Sequence, residues 1–225
     1  MFTGIIETVG EVLEIARSPC GFCRLKVASP LASRLEIGDS VANNGVCLTV
    51  VTKIPGAVEF DLLAETASRT NLKDLEVGSL INLERSMPAS GRLQGHIVQG
   101  HVDIDASILA IENKGQDHRV EIALSDSFRQ YIVFKGSVAV NGISLTVAAV
   151  HDRSFVVWII PHTWHNTNLR CLVPGARVNL EFDIVAKYIE RILLAGKSRK
   201  PKRLRDFRDA GKTAINQARP CDGTV

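Results

Sequence analysis

The chain contains an internal repeat, and this repeat limits the folds that it can adopt. Residues 38–50 align with 135–147 without gaps, and 8 of the 13 aligned positions are identical. Other segments match at the same offset of 97, or at 96 near the start: 3–6 with 99–102, 70–72 with 167–169, and 78–84 with 175–181. Chance similarity does not hold one register for so long, so we predict two copies of one fold, 1–96 and 97–184.

Each copy has the pattern of short strands joined by tight turns. Apolar and polar residues alternate on both sides of Pro55-Gly56, and Asn141-Gly142 separates two β-rich runs. Turn signals every 8–12 residues within about 90 residues are typical of a small closed barrel or a sandwich. Brief helical stretches around 31–35 and 125–129 are expected to plug an open end of each copy.

Composition narrows the class of protein. The chain has 225 residues, of which 45% are hydrophobic, which is ample for a packed core. No apolar run reaches the roughly 18 residues of a membrane span, and no signal-peptide pattern opens the chain. The five cysteines are an odd number at irregular spacing. They favour a reduced, cytoplasmic protein over a disulfide scaffold.

The net charge of +3 comes from the end of the chain. Residues 197–225 hold nine Lys or Arg against three Asp, whereas residues 1–196 have a net charge of −3. Such a charge run predicts a solvated, partly disordered tail. Contact of the tail with nucleic acid or phosphate is the alternative.

A helix is predicted just before this tail, over 185–196. Val185, Tyr188, Ile189 and Ile192 fall at i, i+3, i+4 and i+7, which makes one apolar stripe. The stripe lies outside both repeats and needs a partner. Another copy of the chain and the chain's own barrel are both candidates.

The two copies differ where chemistry needs asymmetry. Cys47 in the first copy corresponds to Ser144 in the second. A thiolate is a nucleophile, whereas a serine hydroxyl without a base mainly forms hydrogen bonds. Matched pockets that differ in this way could hold one molecule and treat it differently. The alternative is that Cys47 is a small buried apolar residue.

Threonines and histidines supply further candidates. Each copy keeps two threonines, Thr49 and Thr66 matching Thr146 and Thr163, which suit a ring with carbonyl and N–H edges. His96 and His101 are five residues apart, so on a strand their side chains would point to opposite faces, and no shared metal is expected. His101, beside Asp103, is instead a candidate proton shuttle. The Cys20–Cys23 pair in a C-x-x-C spacing has no second pair of ligands, and we interpret it as an incidental loop feature.

These features together resemble the riboflavin synthase alpha-chain family. The resemblance covers about residues 1–195, and its most specific motifs are 1–6, 44–50, 95–103, 141–147 and 178–183. It implies an all-β fold of two tandem six-stranded barrels followed by a trimerisation helix. Asn141 and His162 depart from it, because the family has an acidic residue at the first position and commonly glutamate at the second.

The resemblance also implies an activity. The family converts two molecules of 6,7-dimethyl-8-ribityllumazine into riboflavin and 5-amino-6-(D-ribitylamino)uracil by transfer of a four-carbon unit, without cofactor or metal. In the family, the N-terminal barrel of one chain faces the C-terminal barrel of a neighbour. Expected partners are therefore the lumazine substrate, two further copies of the chain and, in a larger complex, lumazine synthase. Neither a membrane nor a nucleic acid is an expected partner.

Site residues carry over by position. The expected N-barrel pocket contains Gly4, Ile5, Ile6, Ser40, Cys47, Leu48, Thr49, Asp61, Leu62, Leu63, Ala64, Glu65 and Thr66. The expected C-barrel pocket contains Gly100, His101, Val102, Ser144, Leu145, Thr146, Trp158, Ile159, Ile160, Pro161, His162 and Thr163, with Lys135 near the shared ligand zone. Ser40 and Cys47 are expected to stabilise or deliver the group that adds at C7 of one lumazine. Asp183 is expected to orient a partner group across the trimer contact.

Two rival functions remain open at this stage. One is a non-catalytic lumazine or flavin carrier with the same doubled barrel. The other is a nucleic-acid binder, since small barrels and basic tails occur together. The acidic body and the aromatic content of 5% speak against the second rival, because few stacking platforms are available.

Overall fold

The structure, a computed structural model, describes residues 1–17 and 23–198. The strands are β1 Thr8–Arg17, β2 Cys23–Ala28, β3 Ser40–Asn43, β4 Val46–Ile54, β5 Ala57–Leu62, β6 Leu80–Arg85, β7 Ile104–Lys114, β8 Asp117–Ala123, β9 Ser137–Val140, β10 Ile143–Val150, β11 Ser154–Ile159 and β12 Arg177–Phe182. The α-helices are α1 Ala64–Arg69, α2 Pro161–Asn166 and α3 Ile184–Ser198. Four 3-10 helices cover Pro30–Arg34, Asn71–Asp74, Asp126–Tyr131 and Asn168–Cys171.

The twelve strands form two closed antiparallel barrels of six strands each. The first barrel has the strand order β1-β2-β5-β4-β3-β6, and the second has β7-β8-β11-β10-β9-β12. Adding six to each strand number of the first barrel gives the strand order of the second barrel. The predicted pair of similar all-β barrels is therefore confirmed, and closure leaves neither sheet with an unpaired edge.

Each barrel has its own apolar core. Fully buried side chains such as Leu25 and Phe60 fill the first barrel, and Ile122 and Phe155 fill the second. The two predicted helical stretches are present as 3-10 helices, Pro30–Arg34 and Asp126–Tyr131. Leu31 of the first belongs to its barrel's buried core, and Phe128 of the second packs against the other core.

Thr66 and Thr163 lie on the short helices α1 and α2. In both copies the strand ends four residues earlier, and an extended residue, Leu63 or Ile160, precedes the helix. Pro161 occupies the first turn of α2, where its missing N–H group has no cost.

The turn of the β3–β4 hairpin contacts the turn of the β9–β10 hairpin. Asn44-Gly45 and Asn141-Gly142 all have positive φ, between 46° and 79°, as a two-residue type I′ turn requires. A Cβ on Gly45 would lie 2.7 Å from the backbone nitrogen of Gly142, and one on Gly142 would lie 2.8 Å from that of Gly45. Only glycine permits this contact between the barrels.

Six asparagines surround this contact and form what we call the asparagine cluster: Asn44, Asn71, Asn82, Asn141, Asn168 and Asn179. They are three pairs at the repeat offset, and their hydrogen bonds repeat with the same symmetry. The Asn82 side-chain amide donates to the Asn141 carbonyl (3.0 Å), and the Asn179 amide donates to the Asn44 carbonyl (2.9 Å). All six are buried, and the bonds satisfy polar groups that water cannot reach, except Asn71 Oδ1, which has no hydrogen-bond partner among the described residues.

The helix predicted before the tail is present as α3. Its stripe residues Val185, Tyr188, Ile189 and Ile192 are each more than half exposed in the single chain. No helix in residues 1–17 and 23–198 has the length and apolarity to cross a membrane. The predictions for the C-x-x-C segment and for the basic tail concern residues that lie largely outside the described ones.

Candidate functional site

Two short segments lead into the barrels and are held by matched carboxylates. Residues 1–6 form the first lead segment and residues 97–102 the second. Glu84 of β6 accepts hydrogen bonds from the backbone and hydroxyl of Thr3 (both 2.7 Å) and from the backbone of Gly4 (3.0 Å). Glu181 of β12 accepts three backbone bonds from residues 99–101, at 2.6–3.0 Å. Burial raises the pKa of Glu84, and the bonds from Thr3 and Gly4 oppose this rise.

Each lead segment also contacts the hairpin of the other barrel. The backbone N–H of Cys47 donates to the Gly100 carbonyl (2.9 Å), and that of Ser144 donates to the Gly4 carbonyl (2.8 Å). A bridge between Phe2 and Val98 joins the two segments side by side. The segments therefore cross between the barrels, which places each beside the differing residue of the opposite repeat.

The grouping of the predicted pocket residues is corrected by this crossing. We expected Gly4–Ile6 beside Cys47 and Gly100–Val102 beside Ser144, but the structure has them the other way round. Ile6 packs against the core of the second barrel, and Val102 packs against the core of the first. The repeat alignment cannot reveal the exchange, because both arrangements preserve the same sequence matches.

Ser144 has a histidine partner that the sequence did not reveal. The Nδ1 atom of His96 lies 2.7 Å from the Ser144 hydroxyl oxygen. His96 is buried, and its Nε2 has no hydrogen-bond partner among the described residues. The preceding residue has to be glycine, because a Cβ on Gly95 would lie 2.1 Å from the Thr3 carbonyl oxygen and 2.9 Å from the Ser144 Cβ.

The surroundings of His96 favour a neutral imidazole. Burial lowers its pKa, and the negative charge of Asp183 partly opposes this shift. Asp183 is the residue expected to act across a trimer contact, and the structure places its charge near His96 of the same chain. A neutral imidazole beside a hydroxyl can accept a proton through it, as a general base requires.

Cys47 has a different environment from Ser144. Its thiol is half-buried and free, and it makes no side-chain hydrogen bond within the described residues. Ser40 lies one strand away, opposite Thr49 in the β3–β4 ladder. His101 follows Gly100 on the segment that crosses to Cys47, and its side chain is exposed. Asp103, the expected companion of His101, accepts a hydrogen bond from the backbone of Phe182 (2.9 Å).

The remaining predicted residues include both buried and exposed side chains in each barrel. Leu48 and Leu62 are buried, as are their counterparts Leu145 and Ile159. The exposed members are Thr49, Leu63, Ala64, Glu65, Thr146, Trp158, Ile160 and His162. A rim of exposed apolar side chains on two barrels is unusual for a surface that stays in water.

Two differences alter the charge of this rim. Asp61 forms a two-pronged ion pair with Arg24 (2.6 and 3.1 Å), whereas the matched position in the second barrel is Trp158. Lys135 has a φ of 64° where Gly38 stands in the first barrel. A non-glycine residue in this left-handed region costs about 1 kcal/mol, so Lys135 has a backbone strain that Gly38 avoids.

A cleft of about 540 Å³ lies beside the first lead segment. Ile5, Glu84 and Arg85 line it, but Cys47 and Ser144 do not. In the described part of the chain, no group of three or more His, Cys, Asp or Glu side chains could hold a metal ion.

Known proteins share both the sequence and the repeat. The Lumazine binding domain family matches twice, at residues 3–86 and 99–183. Riboflavin synthase of Actinobacillus pleuropneumoniae is 43% identical over 203 residues, which cover 90% of this chain and 94% of that protein. The chain belongs to the riboflavin synthase family.

Other relatives agree with this family membership. Riboflavin synthase of Mycobacterium bovis is 44% identical over 86% of this chain and 98% of that protein. Riboflavin synthase of Bacillus subtilis is 37% identical over 86% of this chain and 90% of that protein. The crystal structure of LumP complexed with riboflavin has the same fold, with a TM-score of 0.76 and 26% identity over 81% of this chain and 99% of LumP.

Proposed function

We propose that the chain is a riboflavin synthase. It converts two molecules of 6,7-dimethyl-8-ribityllumazine into riboflavin and 5-amino-6-(D-ribitylamino)uracil, moving a four-carbon unit from one to the other. The reaction uses the same compound twice, in two roles. The observation that carries the proposal is a pair of matched hairpin sites, of which the second has Ser144 hydrogen-bonded to a buried histidine and the first has a free thiol.

The second barrel takes the lumazine that loses a proton. The acidic hydrogens of the substrate are those of its C7 methyl group, and a base is needed to remove one. A neutral His96 accepts the proton of the Ser144 hydroxyl, and that oxygen takes the proton from the methyl group. Lowering of the His96 pKa by burial keeps the imidazole in its basic form at neutral pH.

The first barrel takes the lumazine that accepts the four-carbon unit. A nucleophile must add at C7 of this molecule, and Cys47 and Ser40 are the residues that supply it or stabilise it. The exposed His101 is the candidate proton shuttle at this pocket, on the lead segment that reaches Cys47. Holding two rings in contact removes much of the entropic cost of a bimolecular step, up to about 7–11 kcal/mol.

The proposal extends to the assembly. Two pockets on one chain need not face each other, and the exposed apolar rims of both barrels support closure by a neighbouring copy. We assign 1–96 and 97–184 as the two lumazine-binding domains, 185–196 as the trimerisation helix and 197–225 as a basic tail. The proposed protein is a cytoplasmic homotrimer that uses no cofactor and can associate with lumazine synthase.

One assay separates the enzyme from a non-catalytic lumazine or flavin carrier of the same fold. The purified chain is incubated with 6,7-dimethyl-8-ribityllumazine, and riboflavin is followed by absorbance and chromatography. The proposal predicts riboflavin and the ribitylaminouracil in equal amounts. Tight binding of lumazine without riboflavin would instead identify a carrier. Sedimentation of the same sample tests the trimer, for which about three times the chain mass of 24.5 kDa is expected.

A further inference from the structure

The helices that hold the predicted ring-binding residues are fixed differently in the two barrels. In the second barrel α2 carries Pro161, His162 and Thr163, and Trp164 follows them directly. The Trp164 side chain is half-buried and packs against the core of the second barrel. Its indole ring stacks on the imidazole of His118, with 3.8 Å between ring centroids and 14° between ring planes.

His118 is itself held in place on the barrel. It lies on β8 opposite Ile159, the last residue of β11 before the turn into α2. Its Nδ1 lies 2.8 Å from the side-chain oxygen of Asn113 on β7. The imidazole plane is therefore fixed by a hydrogen bond, and the stack joins a fixed ring on the barrel wall to the helix.

The first barrel shows no equivalent of this stack among its described residues. The position that matches Trp164 is Ala67, and α1 contains no aromatic residue. The side-chain ion pair of α1, between Glu65 and Arg69, is more than 70% exposed at both residues. Exposed pairs of this kind contribute little to holding a helix.

We propose that Trp164 and His118 are positioning residues of the second pocket. Their stack holds α2 in the orientation in which residues 161–163 meet the lumazine ring, so binding there does not have to order the helix. A binding segment that is already ordered binds more tightly than one that orders on contact. The inference rests on the proposed function, because it assumes that the second pocket binds lumazine.

Tryptophan fluorescence can follow lumazine binding at the second pocket separately from binding at the first. The chain has two, Trp158 and Trp164, and both lie in the second barrel. In Trp164→Leu only Trp158 remains, at the rim of the second pocket, and bound lumazine quenches its fluorescence. We expect half-saturation of this quenching at about fivefold to tenfold higher lumazine than in the wild type, as loss of an aromatic pair implies. Trp164→Phe keeps a ring against His118 and should stay within about twofold.

Two further variants control for packing and folding. His165→Ala changes an exposed residue of the same helix and should bind as the wild type does. His118→Leu removes the stack from the strand side without opening the core and should shift half-saturation as Trp164→Leu does. In turnover, both stack variants should raise KM more than they lower kcat. Far-UV circular dichroism and the melting temperature identify any variant that fails to fold.

Two results would overturn the inference. Equal shifts for Trp164→Leu and Trp164→Phe would show that the aromatic ring is not needed, and unchanged binding in His118→Leu would show that the stack does not matter. A wild-type chain whose fluorescence lumazine does not quench would contradict the proposed function instead, so the two failures are distinguishable.

Discussion

The two barrels share a framework and differ around their pockets. Strand order, hairpin turns and anchoring glutamates are the same in both. At matched positions, however, the first barrel has Cys47 and the second has Ser144, and of the two only Ser144 lies within hydrogen-bond distance of a histidine side chain. The proposed function follows from this difference: the shared framework supplies two places for one compound, and a few side chains give the two molecules different roles.

The symmetric part of the molecule is the part that holds the barrels together. The asparagine cluster repeats its bonds across the interface, so neither barrel contributes more than the other. An ion cluster breaks this symmetry on one side, where Asp105 of β7 binds Lys73 (2.8 Å) and Arg177. The matched positions Val9 and Leu80 cannot form it in the first barrel.

The largest effect is expected at His96, because it is the residue that the second pocket has and the first lacks. Removal of a general base lowers turnover by about 100-fold to 10,000-fold. We expect such a loss in kcat of His96→Gln, with lumazine affinity within threefold of the wild type, measured by steady-state kinetics and fluorescence titration. His151→Gln, an exposed control, should keep full activity. A His96→Gln enzyme within threefold of wild-type kcat would refute the role of the histidine.

The asparagine cluster should show equal effects on both sides. In Asn44→Ala and Asn141→Ala, two buried donors lose their acceptor and alanine enters a positive-φ position. We expect each to lower the free energy of unfolding by about 2–4 kcal/mol in urea denaturation. Asn44→Gly and Asn141→Gly adopt the positive φ without strain, so their loss of stability reports the lost hydrogen bonds alone. A difference of more than about 2 kcal/mol between the two sides would contradict the symmetry.

Cys47→Ser makes the two hairpins alike and tests whether their difference matters. If the thiol takes part in chemistry, kcat should fall at least about tenfold while lumazine affinity changes little. Cys171→Ser, at an exposed free cysteine of the second barrel, is the matched control and should keep the wild-type kcat and lumazine affinity. Parallel losses of kcat and affinity in Cys47→Ser would assign the cysteine to packing.

The one-sided ion cluster predicts a small pH effect. The hydrogen bond from Arg177, with a further one from Lys73, lowers the pKa of Asp105 from 3.8 to about 2. Because the folded-state pKa is the lower one, the carboxylate stabilises the fold above pH 3.8 and loses this contribution as the pH falls toward 2. Asp105→Asn should therefore unfold with a shallower pH dependence between pH 4 and 2, followed by circular dichroism. If Asp105→Asn unfolded with the same pH dependence as the wild type between pH 4 and 2, this would contradict the stabilising role of the ion cluster.

The repeat made the fold predictable but hid how the halves combine. The offset of 97 gave two barrels, and Asn141-Gly142 gave a hairpin, because tight turns depend on local backbone preferences. The crossing of the lead segments depends on contacts between residues about 50 or more positions apart, such as Cys47 with Gly100, and local patterns do not encode these. His96 was missed for the same reason, since Ser144 is 48 residues away.

Proton exchange at the lumazine C7 methyl group tests the division of roles most directly. The substrate is incubated in deuterated water with wild-type, His96→Gln or Cys47→Ser protein, and loss of the methyl proton signal is followed by NMR. We predict that Cys47→Ser exchanges the methyl protons at nearly the wild-type rate while forming riboflavin slowly, and that His96→Gln does not exceed the protein-free rate. Wild-type exchange in His96→Gln, or loss of exchange in Cys47→Ser, would show that the two pockets do not divide the reaction in this way.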